Sequence, residues 1–280
     1  MTPSVIGPRR LLAGAALLAL TLATTVACSS GSSTTSATQQ TLVVGSDLTY
    51  PPYAYTENGK PVGFDPEITA LLGKQMNMRV QFKDTRFEQL IPGLKAGQFQ
   101  LIASALYITA ERAEQVDYIP YFSTGNSIVV KKGSPPLATA TDLCGHRVAV
   151  IKGGAIVQQL RDTVSKACTA AGRKAVDVRE FTTDPEGTQA MLSGQVDAQV
   201  TDAGVASTLS RKTSGAVTIT STELLFPVQV GLAVKKGDTA LASKVRSALD
   251  AIKQNGSYAA LLKTYNLSEP QPTSAPSQGS

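Results

Sequence analysis

Tryptophan is absent from the 280 residues, His146 is the only histidine, and there are three cysteines. His146 has no acid or serine beside it in sequence, so nothing marks a catalytic triad, although triad members need not be neighbours in the chain. No zinc-ligand, EF-hand or Walker spacing occurs, and Gly153-Gly154 lacks the rest of a dinucleotide fingerprint; no metal and no cofactor are expected. Strong charge of one sign is also missing. The 26 Lys and Arg residues exceed the 21 Asp and Glu residues by five, and Arg9 and Arg10 lie in a segment expected to be removed, which leaves +3. Those charges are scattered, whereas nucleic-acid binding calls for clustered Lys and Arg, so no nucleic-acid partner is expected. Aromatic residues make up 5% of the chain, which gives weight to the few tyrosines and phenylalanines that cluster.

One long apolar run is present. Leu11 to Ala27 carries no charge, follows Pro8-Arg9-Arg10 and leads through small residues to Cys28. At about 17 residues it suits a secretory segment, residues 1–27, better than a membrane span. Thr25-Val26-Ala27-Cys28 resembles a lipoprotein signal box with Thr25 in place of the usual Leu, which makes Cys28 the expected lipidation site; an ordinary cleavage after Ala27 is the alternative. Ser29 to Gln40 is almost entirely Ser, Thr, Gly, Ala and Gln, a composition that buries no core, so 28–40 reads as a flexible tether. Residues 268–280 read as a disordered tail. The folded body is expected over 41–267, outside the cytoplasm and held to the membrane face by the lipid. Export places Cys144 and Cys168 in an oxidising space, where a disulfide between them is expected, the alternative being two buried thiols. The bridge closes a loop of about 24 residues and adds roughly 3 kcal/mol by the chain-entropy argument.

Within the body, β-branched runs alternate with helical spacing. Leu42 to Gly45, Arg79 to Phe82, Leu101 to Ala103, Ser127 to Val130, Arg147 to Ile151, Val176 to Phe181, Val196 to Val200 and Val228 to Val234 read as strands. Asp65-Pro66-Glu67 reads as a helix start with Asp65 as the cap. Further helices are expected at Phe87–Leu94, from Thr109, after Gly153-Gly154, at Pro185–Leu192, Ala203–Arg211 and 238–253, and at Tyr258–Tyr265. This is an α/β protein with largely parallel sheets.

Four motifs occur in order: Gly45-Ser46-Asp47-Leu48-Thr49-Tyr50-Pro51-Pro52-Tyr53; Gly63-Phe64-Asp65-Pro66-Glu67-Ile68; Ala103-Ser104-Ala105 through Ile108-Thr109-Ala110-Glu111-Arg112; and Val196-Asp197-Ala198 with Thr201-Asp202. With them the body resembles family 3 of the bacterial extracellular solute-binding proteins, the polar amino-acid binders of ABC importers. The resemblance implies a type II periplasmic-binding-protein-like fold: lobe 1 over 41–125 and 230–267, lobe 2 over 126–229, two hinge strands between them and a ligand cleft between the lobes. It also implies a small-molecule ligand, an ABC permease as partner, a monomer, and no enzymatic activity. A dehydratase acting on prephenate- or arogenate-like acids and a ligand-sensing module are the rival readings of the same fold.

An amino acid presents a carboxylate and an ammonium group. A carboxylate suits the two-pronged guanidinium, and the resemblance assigns that role to Arg112; by residue type alone, Arg112 also reads as a surface residue paired with Glu111 or Glu114. Asp202 follows a predicted strand, at the carboxyl end where α/β ligand sites lie. The resemblance makes it the ammonium partner, and a helix N-cap is its other reading. Tyr50 and Phe87 match the family's side-chain clamp, with Tyr53 a weaker candidate wall, and core packing is the alternative for all three. Asp47 matches a position that faces a ligand side chain, or it is a turn residue. Ser104, Ala105, Gly154 and Ala155 match ligand-contacting backbone positions. Two departures from the family pattern stand out. Tyr107 occupies a position usually held by Ser or Thr, and Gly153-Gly154-Ala155 lacks the usual hydroxyl. Both suit a modified amino acid, a betaine-like ligand or an opine.

Overall fold

Period-two alternation with both faces apolar is the pattern of a strand covered on both sides, and it organises the second half of the body. The computed structural model describes residues 39–271. The secretory segment, Cys28 with its expected lipidation, the tether up to residue 38 and residues 272–280 lie outside the described residues.

In chain order the elements are β1 (Thr41–Ser46), β2 (Thr49–Tyr50), β3 (Ala54–Glu57), β4 (Lys60–Val62), α1 (Phe64–Gln75), β5 (Arg79–Asp84), α2 (Leu90–Lys95), β6 (Leu101–Ile102), α3 (Ala110–Ala113) and β7 (Val116–Lys131). There follow β8 (Arg147–Ile151), α4 (Ala155–Gln158), α5 (Ser165–Ala170), β9 (Asp177–Phe181), α6 (Asp184–Leu192), β10 (Ala198–Asp202), α7 (Ala203–Lys212), β11 (Val217–Ile219), β12 (Leu225–Lys235), α8 (Thr239–Gln254) and α9 (Ser257–Tyr265). A 3-10 turn over Phe87–Gln89 precedes α2, and a wide turn over Gln159–Val164 joins α4 to α5.

One nine-stranded sheet runs in the order β5-β1-β6-β12-β7-β10-β8-β9, with β11 beside β7. Its two ends are parallel: β1 with β5 and β6, and β8 with β9 and β10. The centre is antiparallel, a departure from the largely parallel sheets expected. Here β12 pairs with β6 and β7, and β7 pairs with β10 and β11. The 16-residue β7 explains the difference, because it pairs with β12 from Val116 to Asn126 and with β10 from Asn126 to Val129. Local spacing revealed only Ser127 to Val130 of it as a strand. The small sheet β2-β3-β4 was also not expected.

The buried apolar residues fall into cores on either side of this crossing. The first joins Val44, Ile68 and Leu72 to Leu232, Val245 and Ile252, so the chain's return from β12 onward completes a core begun at β1. The second is layered. Ile128, Val130, Val148, Val150 and Val200 face one way onto Leu160 and Val164, while Val129 and Ala149 face the other onto Met191 and Ala206. Val205, at the start of α7, packs into the first core rather than the second. Beyond α9 the chain runs beside the crossing, so 268–271 belong to the folded body and not to the disordered tail expected from 268: the Ser123 amide donates to the Ser268 carbonyl at 3.0 Å and the Gln271 amide to Ser123 Oγ at 2.8 Å. No helix among the described residues is long and apolar enough to cross a membrane.

Cys144 and Cys168 are joined, with their Cα atoms 5.6 Å apart. They tie the segment before β8 to α5, and both pack in the second core. By the loop-closure argument, C144S/C168S loses about 3 kcal/mol of stability. Denaturant unfolding of the double variant against wild type measures this, and an unchanged midpoint would refute it.

Candidate functional site

Loops at the carboxyl ends of β1, β6, β8 and β10 converge on one cavity, the location that parallel strands favour for ligands. Tyr50, Phe87, Ala105, Tyr107, Arg112 and Asn126 line it, with Gly154 and Ala155 opposite. Ile151, Ile156, Val200 and Thr201 complete the wall. Its volume is about 30 Å³, and a second cavity of about 450 Å³ shares Arg112, Gly154 and Ala155 with it and is lined also by Glu88, Glu111 and Glu180.

Arg112 is held from both halves of the body. Thr109 caps α3 by accepting the Arg112 amide at 3.2 Å. The guanidinium then donates to the Tyr107 carbonyl at 3.0 Å and, across the cavity, to the Gly153 carbonyl at 2.8 Å. Its carbon lies 5.5 Å from the centroid of the Phe87 ring, within cation–π reach. Burial lowers the Arg112 pKa, opposed chiefly by Tyr118 and Glu111; a guanidinium still keeps its proton. Neither Glu111 nor Glu114 forms an ion pair with it among the described residues. Gly153 permits the crossing contact. Its φ is +73°, and an added Cβ would sit 3.0 Å from the Glu88 Cα of the opposite half. Beside it Lys152 Nζ pairs with Glu88 at 2.8 Å, so this lysine is bound at the rim rather than free.

Asp202 ends β10 and also caps α7, accepting the Gly204 amide at 2.8 Å. Its side chain has no exposed surface. Tyr53 donates to Oδ1 at 2.5 Å and Tyr107 to Oδ2 at 2.7 Å, both from the first half of the body. Burial raises its pKa, and the two phenols oppose the shift. Gly204 is needed here too, because a Cβ would meet the Tyr53 hydroxyl at 2.5 Å. Tyr53 is therefore not a cavity wall, contrary to expectation. Its ring is buried and stacked on Phe122 at 5.2 Å, and its hydroxyl is spent on Asp202.

Asp47 and Ser104 stand behind the lining. Ser104 Oγ accepts the Asp47 amide at 3.0 Å. The Asp47 carboxylate accepts from the Thr49 amide and hydroxyl and from the Phe87 amide, and pairs with Arg86 at 2.9 Å. Asp65 is a second correction. The residue capping α1 is Gly63, at φ 112°, and Asp65 turns inward instead. There it accepts the Tyr121 hydroxyl and, at 2.9 Å, the Ala105 amide. Ala105 lines the cavity with φ +45°, a left-handed conformation that costs a side-chain-bearing residue energy, and the Asp65 bond holds it there.

The structure thus brings Tyr50, Phe87, Ala105, Tyr107, Arg112, Gly154 and Ala155 together around one cavity. Asp47, Ser104 and Asp202 sit one layer back, and His146 lies beside Asp197, at 3.8 Å. Sequence reasoning missed Asn126, Ile151, Ile156, Val200 and Thr201 as lining. Asn126 reaches the site through its register opposite Asp202, a pairing no local motif carries.

The model of the bacterial extracellular solute-binding proteins, family 3, matches residues 42–268. The chain belongs to this family. The L-arginine-binding protein of Pseudomonas aeruginosa is 31% identical over 79% of this chain and 86% of its own length. The L-cystine-binding protein TcyJ of Escherichia coli is 30% identical over 79% and 80%. Among solved structures, an ancestral arginine-binding protein bound to arginine superposes with a TM-score of 0.74 at 35% identity, covering 81% of this chain and 98% of that one. The fold is that of the type II periplasmic binding proteins.

Burial raises the Asp65 carboxyl from 3.8 to about 7, against the opposing bonds from Tyr121 and Ala105. The folded protein therefore holds a proton that the unfolded chain has released between about pH 4 and pH 7. Asp65's contribution to stability is full below that window and is lost as pH rises through it. Asp65→Asn abolishes this titration. The stability of wild type relative to the variant should fall between pH 4 and pH 7 in denaturant titrations and level off above; a difference that stays constant would rule out the shift.

Proposed function

We propose that this chain is the extracytoplasmic substrate-binding component of an ABC importer, and that it takes an amino acid or amino-acid-like zwitterion by closure of two lobes. Lobe 1 comprises 41–125 and 230–267 and lobe 2 comprises 126–229, with β7 and β12 as the strands that pass between them. The observation that carries this reading is the Arg112 guanidinium, buried at the cavity and bonded to a carbonyl from each half. A ligand carboxylate takes the place of those carbonyls as a charged, bidentate partner. Asp202 receives the ammonium by sharing Oδ2 with Tyr107. Tyr50 and Phe87 flank the ligand body. Closure adds the lobe 2 contacts, and the closed form is what the permease meets.

Similarity to amino-acid-binding relatives supports the ligand class. Arg112 is the one charged side chain lining the smaller cavity among the described residues, and a guanidinium supplies no general acid or base at neutral pH. That favours binding over the dehydratase reading, which a 30% identical structure, an ancestral amino acid-binding protein described as a precursor of cyclohexadienyl dehydratase, keeps in view. Residues 1–27 serve as the export signal, Cys28 carries the lipid, 28–40 tethers the body, and the protein works as a monomer on the outer face of the cell membrane.

Arg112→Ala tests the reading. Leaving a buried carboxylate unpaired costs about 3–5 kcal/mol, so calorimetry should show affinity for the wild-type ligand falling at least about 100-fold. That ligand is found by a thermal-shift panel of amino acids, betaines and opines, in which about 100 times the dissociation constant adds about 2.7 kcal/mol of stability. Undiminished affinity in the variant would remove Arg112 from the site.

A further inference from the structure

A third cavity, of about 190 Å³, opens behind Thr201. Thr49 and Pro51 form one side of it, and α6 and α7 supply Asp184, Pro185, Val205 and Leu209 on the other. Asp184, at the start of α6, is buried and is the one acid in that wall among the described residues. Thr201, which also lines the ligand cavity, donates its hydroxyl to Asp184 Oδ1 at 2.7 Å. Oδ2 accepts no hydrogen bond among the described residues. No enclosed side-chain oxygen among those residues lacks a partner, so Oδ2 reaches the open space of the cavity.

Asp184 also lacks a counter-ion. Asp47 has Arg86 at 2.9 Å, but no Lys, Arg or His lies within ion-pair reach of Asp184 among the described residues. Burial pushes its carboxyl up to about 6, helped by the negative charges of Asp202 and Asp47. At neutral pH it is therefore ionised, and a cation beside it is favoured. The cations close by in the chain are exposed and engaged elsewhere. Lys212 Nζ lies over the Tyr55 ring at 4.8 Å, and Arg211 donates to the Ser207 and Thr208 hydroxyls. Solvent screens charges held there.

We propose that this cavity is a second small-molecule site, separate from the ligand cleft, and that it takes a small primary amine as its ammonium ion. The ammonium donates to Asp184 Oδ2, a charge-assisted bond stronger than one between neutral groups. A short alkyl body covers Pro185, Val205 and Leu209 and removes their apolar surface from water. An apolar wall with one convergent charged group is the usual form of a small-molecule site. The site uses neither Arg112 nor Asp202, so it does not depend on the function proposed above.

Calorimetry at neutral pH with n-butylamine and butyrate tests this. Wild type should bind n-butylamine and not butyrate. Asp184→Asn keeps an oxygen for the Thr201 hydroxyl but removes the charge, and should weaken n-butylamine at least about 10-fold. Gln189→Trp, at an exposed position in the same wall, narrows the cavity without touching Asp184 and should weaken it as much. Arg112→Ala should leave n-butylamine binding unchanged, so a failure of this site and a failure of the ligand cleft are told apart. The proposal is overturned if wild type does not bind n-butylamine, if butyrate binds as tightly, or if binding survives either Asp184→Asn or Gln189→Trp.

Discussion

Asp202 is a carboxylate without exposed surface, and so it must find its donors inside the protein. Two are phenols from the first half of the body and one is the amide that opens α7. Taking a charge out of water costs several kcal/mol unless such bonds replace the hydration, so these contacts hold together segments far apart in the chain. Tyr53 and Tyr107 reach it across about 150 and 95 positions respectively. Tyr53 reaches it only because residue 204 is glycine. Tyr50 adds a weaker contact at 3.3 Å to Thr201, the neighbour of Asp202. The same layer that fixes the cleft in one geometry therefore also sets its electrostatics.

Arg112 provides the complementary link. Its guanidinium satisfies a carbonyl on each side of the cavity, while Lys152 and Glu88 pair at the rim. None of these contacts lies within β7 or β12, the strands that run through the sheet between the cores. The contacts that close the cleft can therefore exchange partners while the sheet stays paired. Under the proposed closure, the side-chain contacts at the mouth are exchanged while β7 and β12 stay paired, apart from the irregularities at Leu225/Val228 and Val230/Gly231. Ser123 and Gln229, within the crossing, are in turn bonded to the chain at Ser268 and Gln271, so the end of the body lies against the segment that would bend.

Buried acids recur around the site with different partners and different consequences. Asp47 has Arg86. Asp65 has a phenol and an amide, and its carboxyl is pushed to about 7. Asp184 has a threonine hydroxyl, with its carboxyl pushed to about 6. Each is satisfied, in keeping with the absence of any unpartnered buried side-chain nitrogen or oxygen among the described residues. They act as a scaffold behind an apolar lining. Asp65 shows how: it holds Ala105 in a conformation that a residue with a side chain seldom adopts, and so shapes the loop whose carbonyl at Tyr107 receives Arg112.

By itself the sequence determined the local elements and the family. The strands at Leu42, Arg79 and Arg147, the helices from Ala203 and from 238, and the residues Tyr50, Phe87, Tyr107 and Arg112 were all legible, because periodicity, capping and motif order are properties of neighbours in the chain. The tertiary structure decided what depends on distant pairing. The length and double registration of β7, the inward turn of Asp65, the burial of Tyr53 against Phe122 and the arrival of Asn126, Ile151 and Val200 at the cavity follow from which strands and rings meet. A motif can name an aspartate, but whether its charge faces a ligand, a helix end or an arginine is set by the donors that packing brings to it.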